Sequence, residues 1–286
     1  MRMGRRIARR QATVQSGMLS RILALVSVGL TACASALTPP PHQRVLVPVS
    51  VADVPGAVGS LWTAELWAVN ANAEKAGVAA LPCLVDPVAF CAATVDLLAG
   101  RSTRIPPLGN ADSPGVLLLV PTHLANQIGF TLHVRDLSRQ SESWGAEIPV
   151  VRERDFFTNP SHITSIPFGS GYRQTLRIYA LLDSISSARF RVKLYEVTGT
   201  ANDRLLREDI VTLEPPPPPP PNRIGTPLAQ ITLTDLFAIE IGGVNRVRVS
   251  IEPMTEPTAL LPPIPYWAFV SITNNQTQQV TTVTPR

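Results

Sequence analysis

The side chains able to do chemistry in this chain are few and scattered. Its four histidines are His42, His123, His133 and His162, and no two stand at H-x-H or H-x-x-x-H spacing. A zinc hydrolase centre is therefore not indicated, and no metal site is expected. His133 falls on the polar side of a predicted strand and reads as a solvent-facing residue. Ser170, in FGSGY, lacks the G-x-S-x-G context of a nucleophile elbow; the segment after it reads as a strand instead of a helix, which makes it a turn serine. The carboxylate pairs Glu153 and Asp155, and Glu208 and Asp209, sit beside Arg152, Arg154 and Arg207, so they read as solvated ion pairs and not as a glycosidase dyad. Neither G-x-x-x-x-G-K-[ST], nor G-x-G-x-x-G, nor an EF-hand loop occurs. The expectation is a non-enzymatic protein with no catalytic residue and no cofactor.

Binding is better represented than catalysis. Trp62 and Trp67 lie five residues apart, and on a strand an odd spacing turns them to opposite faces. One of them must leave the core unless both faces are covered. A tryptophan on a polar face can stack on a sugar ring or fill an interface, whereas the plainer alternative is a core Trp whose neighbour is tucked under a loop. Arg177, Arg191, Lys193, Arg246 and Arg248 could form a cationic sheet face for polyanions, or simply solubilise and blunt strand edges.

The three cysteines concern address and stability. Before Cys33 stand Arg2, Arg5, Arg6, Arg9, Arg10 and Arg21, a nine-residue apolar run from Ile22 to Leu30, and then small residues, which are the three parts of an export signal. Nine residues are too few to span a bilayer, for which about 20 are needed. Leu30-Thr31-Ala32-Cys33 resembles the bacterial lipobox, in which the cysteine is acylated and becomes the new N-terminus. Ala34-Ser35-Ala36 competes as an ordinary cleavage site after Ala36, and Met18 competes with Met1 as the start. On either route Cys83 and Cys91 remain as an even pair. They bracket seven residues in LPCLVDPVAFC, and a disulfide there would stabilise by roughly 2 to 3 kcal/mol; two buried thiols are the alternative.

The formal charge of +4 belongs to this signal. Residues 1–32 hold six of the 25 basic side chains and no acidic one, which leaves 19 basic against 21 acidic, a net of −2 from Cys33 onward. A faintly acidic chain makes a poor partner for nucleic acid, whose non-specific binding rests on cationic contacts to phosphate.

The elements that must position these residues read as strands. Apolar residues recur at every second place in Phe130–Val134, Phe190–Leu194 and Val247–Ile251. Further strands are expected at Arg44–Val51, Leu61–Val69, Val116–Val120, Ala146–Val151, Arg173–Leu181, Leu205–Leu213, Gln230–Leu236, Trp267–Thr273 and Gln279–Thr284. The one candidate helix is Val85–Ala99, despite Pro87. The 28 prolines disfavour helices elsewhere, and a hydrophobic content of 45 % is ample for a packed core. GSLWTAELWAV (Gly59–Val69) aligns with GSGYRQTLRIY (Gly169–Tyr179) at an offset of 110 residues, close to the length of one immunoglobulin-like sandwich. The expected fold is all-β: two tandem immunoglobulin-like antiparallel sandwiches after a signal segment. Residues 1–32 form the signal, 33–44 a Pro-rich linker, 45–155 the first sandwich and 156–286 the second. The prolines at 215–221 are expected to form a stiff loop inside the second sandwich.

PGAVGSLWTAELWAVN and the terminal FVSITNNQTQQVTTVTP resemble stretches of uncharacterised secreted β-sandwich proteins of environmental bacteria. That resemblance implies export and a non-catalytic role, and brings no activity or site residue with it. The expected protein is an exported, lipid-anchored component of the cell envelope, at the outer membrane in a Gram-negative host. It would serve as a binding, adhesion or structural module with a membrane contact through its lipid and an envelope protein or glycan as partner. The alternatives are a soluble secreted protein, a carbohydrate-binding module, or a hydrolase acting on envelope or extracellular polymer.

Overall fold

The computed structural model describes residues 41–56, 59–80, 94–108, 115–139, 144–181, 187–199, 203–214, 228–232, 243–254 and 264–285. Cys33, Cys83, Cys91, the signal segment and the prolines at 215–221 lie outside the described residues. Residues 41–286 make one compact unit. The described residues are strand and turn, with two single-turn 3-10 segments and no α-helix, so the protein is all-β and antiparallel.

The first half contains β1 (His42–Val47), β2 (Val54–Pro55), β3 (Leu61–Asn70), β4 (Ala76–Ala80), β5 (Val95–Leu97), β6 (Arg101–Arg104), β7 (Val116–Pro121), β8 (Ile128–Asp136), β9 (Ala146–Ile148) and β10 (Val151–Arg152). They form two sheets, ordered β10-β1-β7-β4-β5 and β2-β3-β8-β9, with β6 also paired to β3. The second half contains β11 (Ser161–Pro167), β12 (Tyr172–Ala180), β13 (Ala188–Glu196), β14 (Arg204–Leu213), β15 (Leu228–Thr232), β16 (Arg246–Met254), β17 (Tyr266–Asn274) and β18 (Val280–Val283). Their sheets are β11-β16-β13-β14 and β15-β12-β17-β18. In each half one hydrophobic cluster draws residues from both sheets, as in a sandwich: Val45, Leu118 and Val78 with Leu66, Ala68 and Leu132 in the first, and Ile163, Phe190 and Val249 with Leu176, Ile178 and Val270 in the second.

The two halves repeat one strand order. β1-β7-β4-β5 maps on β11-β16-β13-β14, and β6-β3-β8-β9 maps on β15-β12-β17-β18. The internal sequence similarity falls on corresponding strands, β3 and β12, and burial alternates in step along them: Ala64, Leu66, Ala68 and Asn70 are buried, as are Gln174, Leu176, Ile178 and Ala180. The glycines that precede the two strands, Gly59 and Gly169, both take positive φ, at 71° and 127°, where a side chain would be strained. The partner strands β8 and β17 end alike. Asp136 pairs with Trp62 and Asn274 with Tyr172, and each side chain accepts backbone N–H groups of the turn that follows, from Ser138 and from Gln276 and Thr277. Burial opposes ionisation of Asp136, but hydrogen bonds from Ser138 and from the Leu61 and Ser138 N–H groups outweigh it and hold its carboxyl below the usual value.

The halves are joined by a packed contact. Tyr179, Leu181, Trp267 and Phe269 from the second half belong to the cluster of the first. The Tyr179 hydroxyl donates to the Pro48 carbonyl at 2.6 Å, and Arg177 reaches the same oxygen at 3.3 Å. Rings of Tyr179, Trp267 and Phe269 pack on one another with centroids 5.3 to 6.3 Å apart. The outer face of the β12–β17 pair is thus pressed on the end of the first sandwich where β1 and β7 meet.

The helix expected over Val85–Ala99 is corrected where it can be seen. Residues 85–93 lie outside the described residues, but Val95–Leu97 is a strand hydrogen-bonded to β4, with Val78 opposite Val95 and Ala76 opposite Leu97. Leu97 is buried while Asp96 beside it is exposed. Its alternation is that of a strand, and apolar content alone cannot separate a short strand from a helical turn.

Candidate functional site

The outer face of the β6-β3-β8-β9 sheet collects the exposed chemistry of the first half. Register fixes its members. On β3, Thr63, Glu65, Trp67 and Val69 share the side opposite to the buried Ala64, Leu66 and Ala68. Across β8 they meet Arg135, His133, Thr131 and Gly129 in that order. On the other flank, Arg104 of β6 lies opposite Trp67 and Ser102 opposite Val69. On β9, Glu147 lies opposite His133.

Trp67 is 38 % exposed and Val69 44 %. Trp62, at the start of the same strand, is half-buried; a Cβ on Gly56 would come within 2.6 Å of its indole, so only glycine lets that turn lie against the ring. The two tryptophans therefore part as an odd spacing requires, and Trp67 is the one presented to solvent. Beside it, Glu65 accepts from Arg135 at 3.1 Å and lies 3.5 Å from Arg104. A carboxylate held between two guanidiniums offers both donors and acceptors at the edge of the indole.

Trp144 adds a second ring, 81 % exposed. It stands over His133 with centroids 6.3 Å apart and planes tilted by 57°. Gly145 presses this segment flat on β8: its φ is 80° and a Cβ there would clash with the Val134 carbonyl and with Arg135. His133 was expected to face solvent. It is only half-exposed, because Trp144 covers part of it, and its Nδ1 is shielded without a hydrogen bond.

No family model, curated protein or solved structure matches the chain. Its chemistry is read from its own residues.

The remaining sequence candidates do not assemble. Arg177, Arg191, Lys193, Arg246 and Arg248 make no common cationic face, since most are matched to a carboxylate or a ring. Lys193 donates to Glu252 at 2.8 Å and Arg248 to Asp203 at 2.8 Å, and Arg191 forms an ion pair with Glu208 at 3.0 Å. Arg248 also lies 4.1 Å from the Tyr195 ring centroid and Arg177 5.8 Å from that of Phe269. Glu153 is held by Arg44 at 2.9 Å, Asp155 lies 3.9 Å from Arg154, and Asp209 accepts the Ile210 N–H of its own strand. Ser170 sits in the exposed turn before β12, where its carbonyl accepts from Asn275. Among the described residues, no three of His, Cys, Asp and Glu group as metal ligands.

From the sequence Trp62 and Trp67 stand as a pair of which one must leave the core, and the residues around the exposed one are not anticipated. Glu65 was legible in principle, standing two places from Trp67 and so on the same face. Arg104, Arg135 and Trp144 were not, because register across strands decides their placement.

Proposed function

We propose that this chain is an exported, lipid-anchored protein of the cell envelope that acts as a non-catalytic binding, adhesion or structural module through its Trp67 face. One observation carries the binding reading: two exposed tryptophans and an arginine-flanked carboxylate lie together on the outer face of one sheet. Large aromatic rings exposed beside polar groups are how proteins take hold of partners, since they bury much area at small entropic cost. A hydrolase would be favoured by acids, histidines and serines converging in a deep pocket, and this arrangement is a surface. A carbohydrate-binding module is the second reading, favoured by the same rings, which could stack on sugars while Glu65 and Arg135 meet hydroxyl groups.

The address rests on the lipobox-like LTAC, with acylation of Cys33 as the anchor; cleavage after Ala36, giving a soluble secreted form, is the competing route. Cys83 and Cys91 form the disulfide of this reading. Each sandwich is taken as an immunoglobulin-like variant: its third strand neighbours the sixth and its second the fifth, as in immunoglobulin domains, while the first and seventh strands sit in exchanged sheets.

The test is co-sedimentation of purified protein with envelope fragments of its host, comparing the native chain with Trp67→Ala, Trp144→Ala and the double variant. Retention should fall at least tenfold in the double variant while its melting stays cooperative, because neither ring belongs to a hydrophobic cluster. Equal retention of all four would overturn the Trp67 face as the binding surface.

A further inference from the structure

Both sandwiches have the same strand order, so every surface of one has a counterpart on the other. The counterpart of the open Trp67 face is the outer face of β12 and β17. Leu66 corresponds to Leu176 and, through the paired strands, Leu132 to Val270. Trp67 thus corresponds to Arg177, Val69 to Tyr179, Thr131 to Phe269 and Gly129 to Trp267. These matched positions differ in one respect: Val69 is 44 % exposed and Tyr179 2 %. The second-half face is covered, and what covers it is the end of the first sandwich, where Pro48 and Gly115 follow the last β1–β7 pair, Val47 with Val116. The Pro48 carbonyl accepts from Tyr179 and Arg177, and a Cβ on Gly115 would touch the Tyr179 ring.

The covering end also has a counterpart. In the second sandwich the last β11–β16 pair is Pro167 with Arg246, followed by Phe168 and Asn245, whose N–H and carbonyl bond at 2.9 Å. Ser170, Asn245 and Arg246 there are exposed. The chain thus buries one face and one end against each other and leaves the equivalent face and the equivalent end exposed, with β9 at the margin of the open face also touching β18, where the Thr282 hydroxyl donates to the Glu147 carbonyl at 3.1 Å.

We infer that the occupant of the Trp67 face is a second copy of this chain, docked by the Phe168–Asn245 end of its second sandwich. This continues the interface already built within the chain and deepens the binding reading, on which it rests. The chemistry can be reproduced: Trp67 stands where Arg177 stands and, like it, carries an N–H donor, aimed in this arrangement at the Phe168 carbonyl as Arg177 is at Pro48. Val69 and Gly129 replace Tyr179 and Trp267, so the open face is hollow where its counterpart is filled. An end-to-face contact is heterologous, leaves one free surface at each extremity, and so grows into chains or rings instead of stopping at a symmetric dimer.

The test uses the full chain carrying Cys33→Ser, which removes association through lipid, in sedimentation equilibrium from micromolar to millimolar concentration. Species beyond dimer are expected to build up with concentration. Trp67→Ala, which spoils the face, and Asn245→Arg, which obstructs the end, should each weaken self-association at least tenfold. Mixed one to one, these two variants should form a dimer and nothing larger, since each contributes its one intact surface. A chain that stays monomeric throughout, variants that associate as tightly as the native chain, or a mixture that shows no recovery overturns the inference. Trp67-dependent retention on envelope fragments, in that event, leaves the binding reading standing and makes the partner a different molecule.

Discussion

Tyr179 shows how much one side chain contributes at the junction. It is almost wholly buried, its ring packs on Trp267 and Phe269, and its hydroxyl serves a carbonyl 131 positions earlier in the chain. Replacing it by Phe keeps the ring and leaves the Pro48 carbonyl with only the longer bond from Arg177. Leaving a buried acceptor poorly satisfied costs about 1 to 3 kcal/mol, so the unfolding free energy of Tyr179→Phe, read from urea titration, should fall by that amount. Alkaline pH gives an independent reading. Burial pushes the Tyr179 phenol up to about 12, with Arg177 pulling weakly the other way. Between the ordinary tyrosine value near 10 and about 12 the folded chain keeps a proton that the unfolded chain releases. The stabilisation is therefore complete below about pH 10 and is lost as pH rises through 12, a loss of roughly 3 kcal/mol in full. Stability measured across that window should decline more steeply in the native chain than in Tyr179→Phe, and equal slopes would contradict the assignment.

At the scale of elements, the central strands matter more than their order in sequence suggests. β16 lies between β11 and β13, and β17 between β12 and β18, so the last 41 residues from Arg246 supply a central strand to each sheet of the second sandwich. A chain ending at Glu214 loses both. Phe190, Val192, Leu194, Leu176 and Ile178 then face water, at roughly 1.5 to 3 kcal/mol each, which is comparable with the whole stability of a domain, about 5 to 15 kcal/mol. The second half of the truncated chain should be unfolded, with its amide protection absent in hydrogen exchange; native-like protection of β12 and β13 would count against this arrangement. Edge strands are handled differently. Among the described residues β14 pairs only with β13, and Arg207, Glu208 and Asp209 put charge along it while Asp209 occupies the Ile210 N–H, which discourages pairing with another strand.

At the scale of the whole molecule, each sandwich has its own cluster, but that of the first takes in part of the second half. Four second-half residues, three of them aromatic, lie in the first-half cluster, so either half alone would expose them or the surface they cover. An interface of packed aromatics with a buried hydrogen bond couples unfolding of its two sides. Calorimetry of the full chain should give a single transition whose calorimetric and van't Hoff enthalpies agree, and Trp267→Ala should lower its midpoint and separate it into two. Two transitions in the native chain would mean that the junction is a loose contact.

What the sequence by itself determined follows from strand physics that is local. Period-two alternation placed Phe190–Leu194, Val247–Ile251 and Leu61–Val69 as strands, the odd Trp62–Trp67 spacing sent one indole outward, and the 110-residue offset marked β3 and β12 as counterparts. These signals survive because side-chain direction on a strand depends only on parity along the chain. Tertiary structure decided everything that depends on register and docking. Glu65 faces His133 and Trp67 faces Arg104 only once β3, β6 and β8 are aligned. Arg177 and Tyr179 are buried only because another sandwich lies on them, although their alternation is that of a half-exposed strand. The sequence cannot distinguish Trp67 from Arg177 as the open and the covered position, because the difference lies in which copy of a repeated surface has a neighbour.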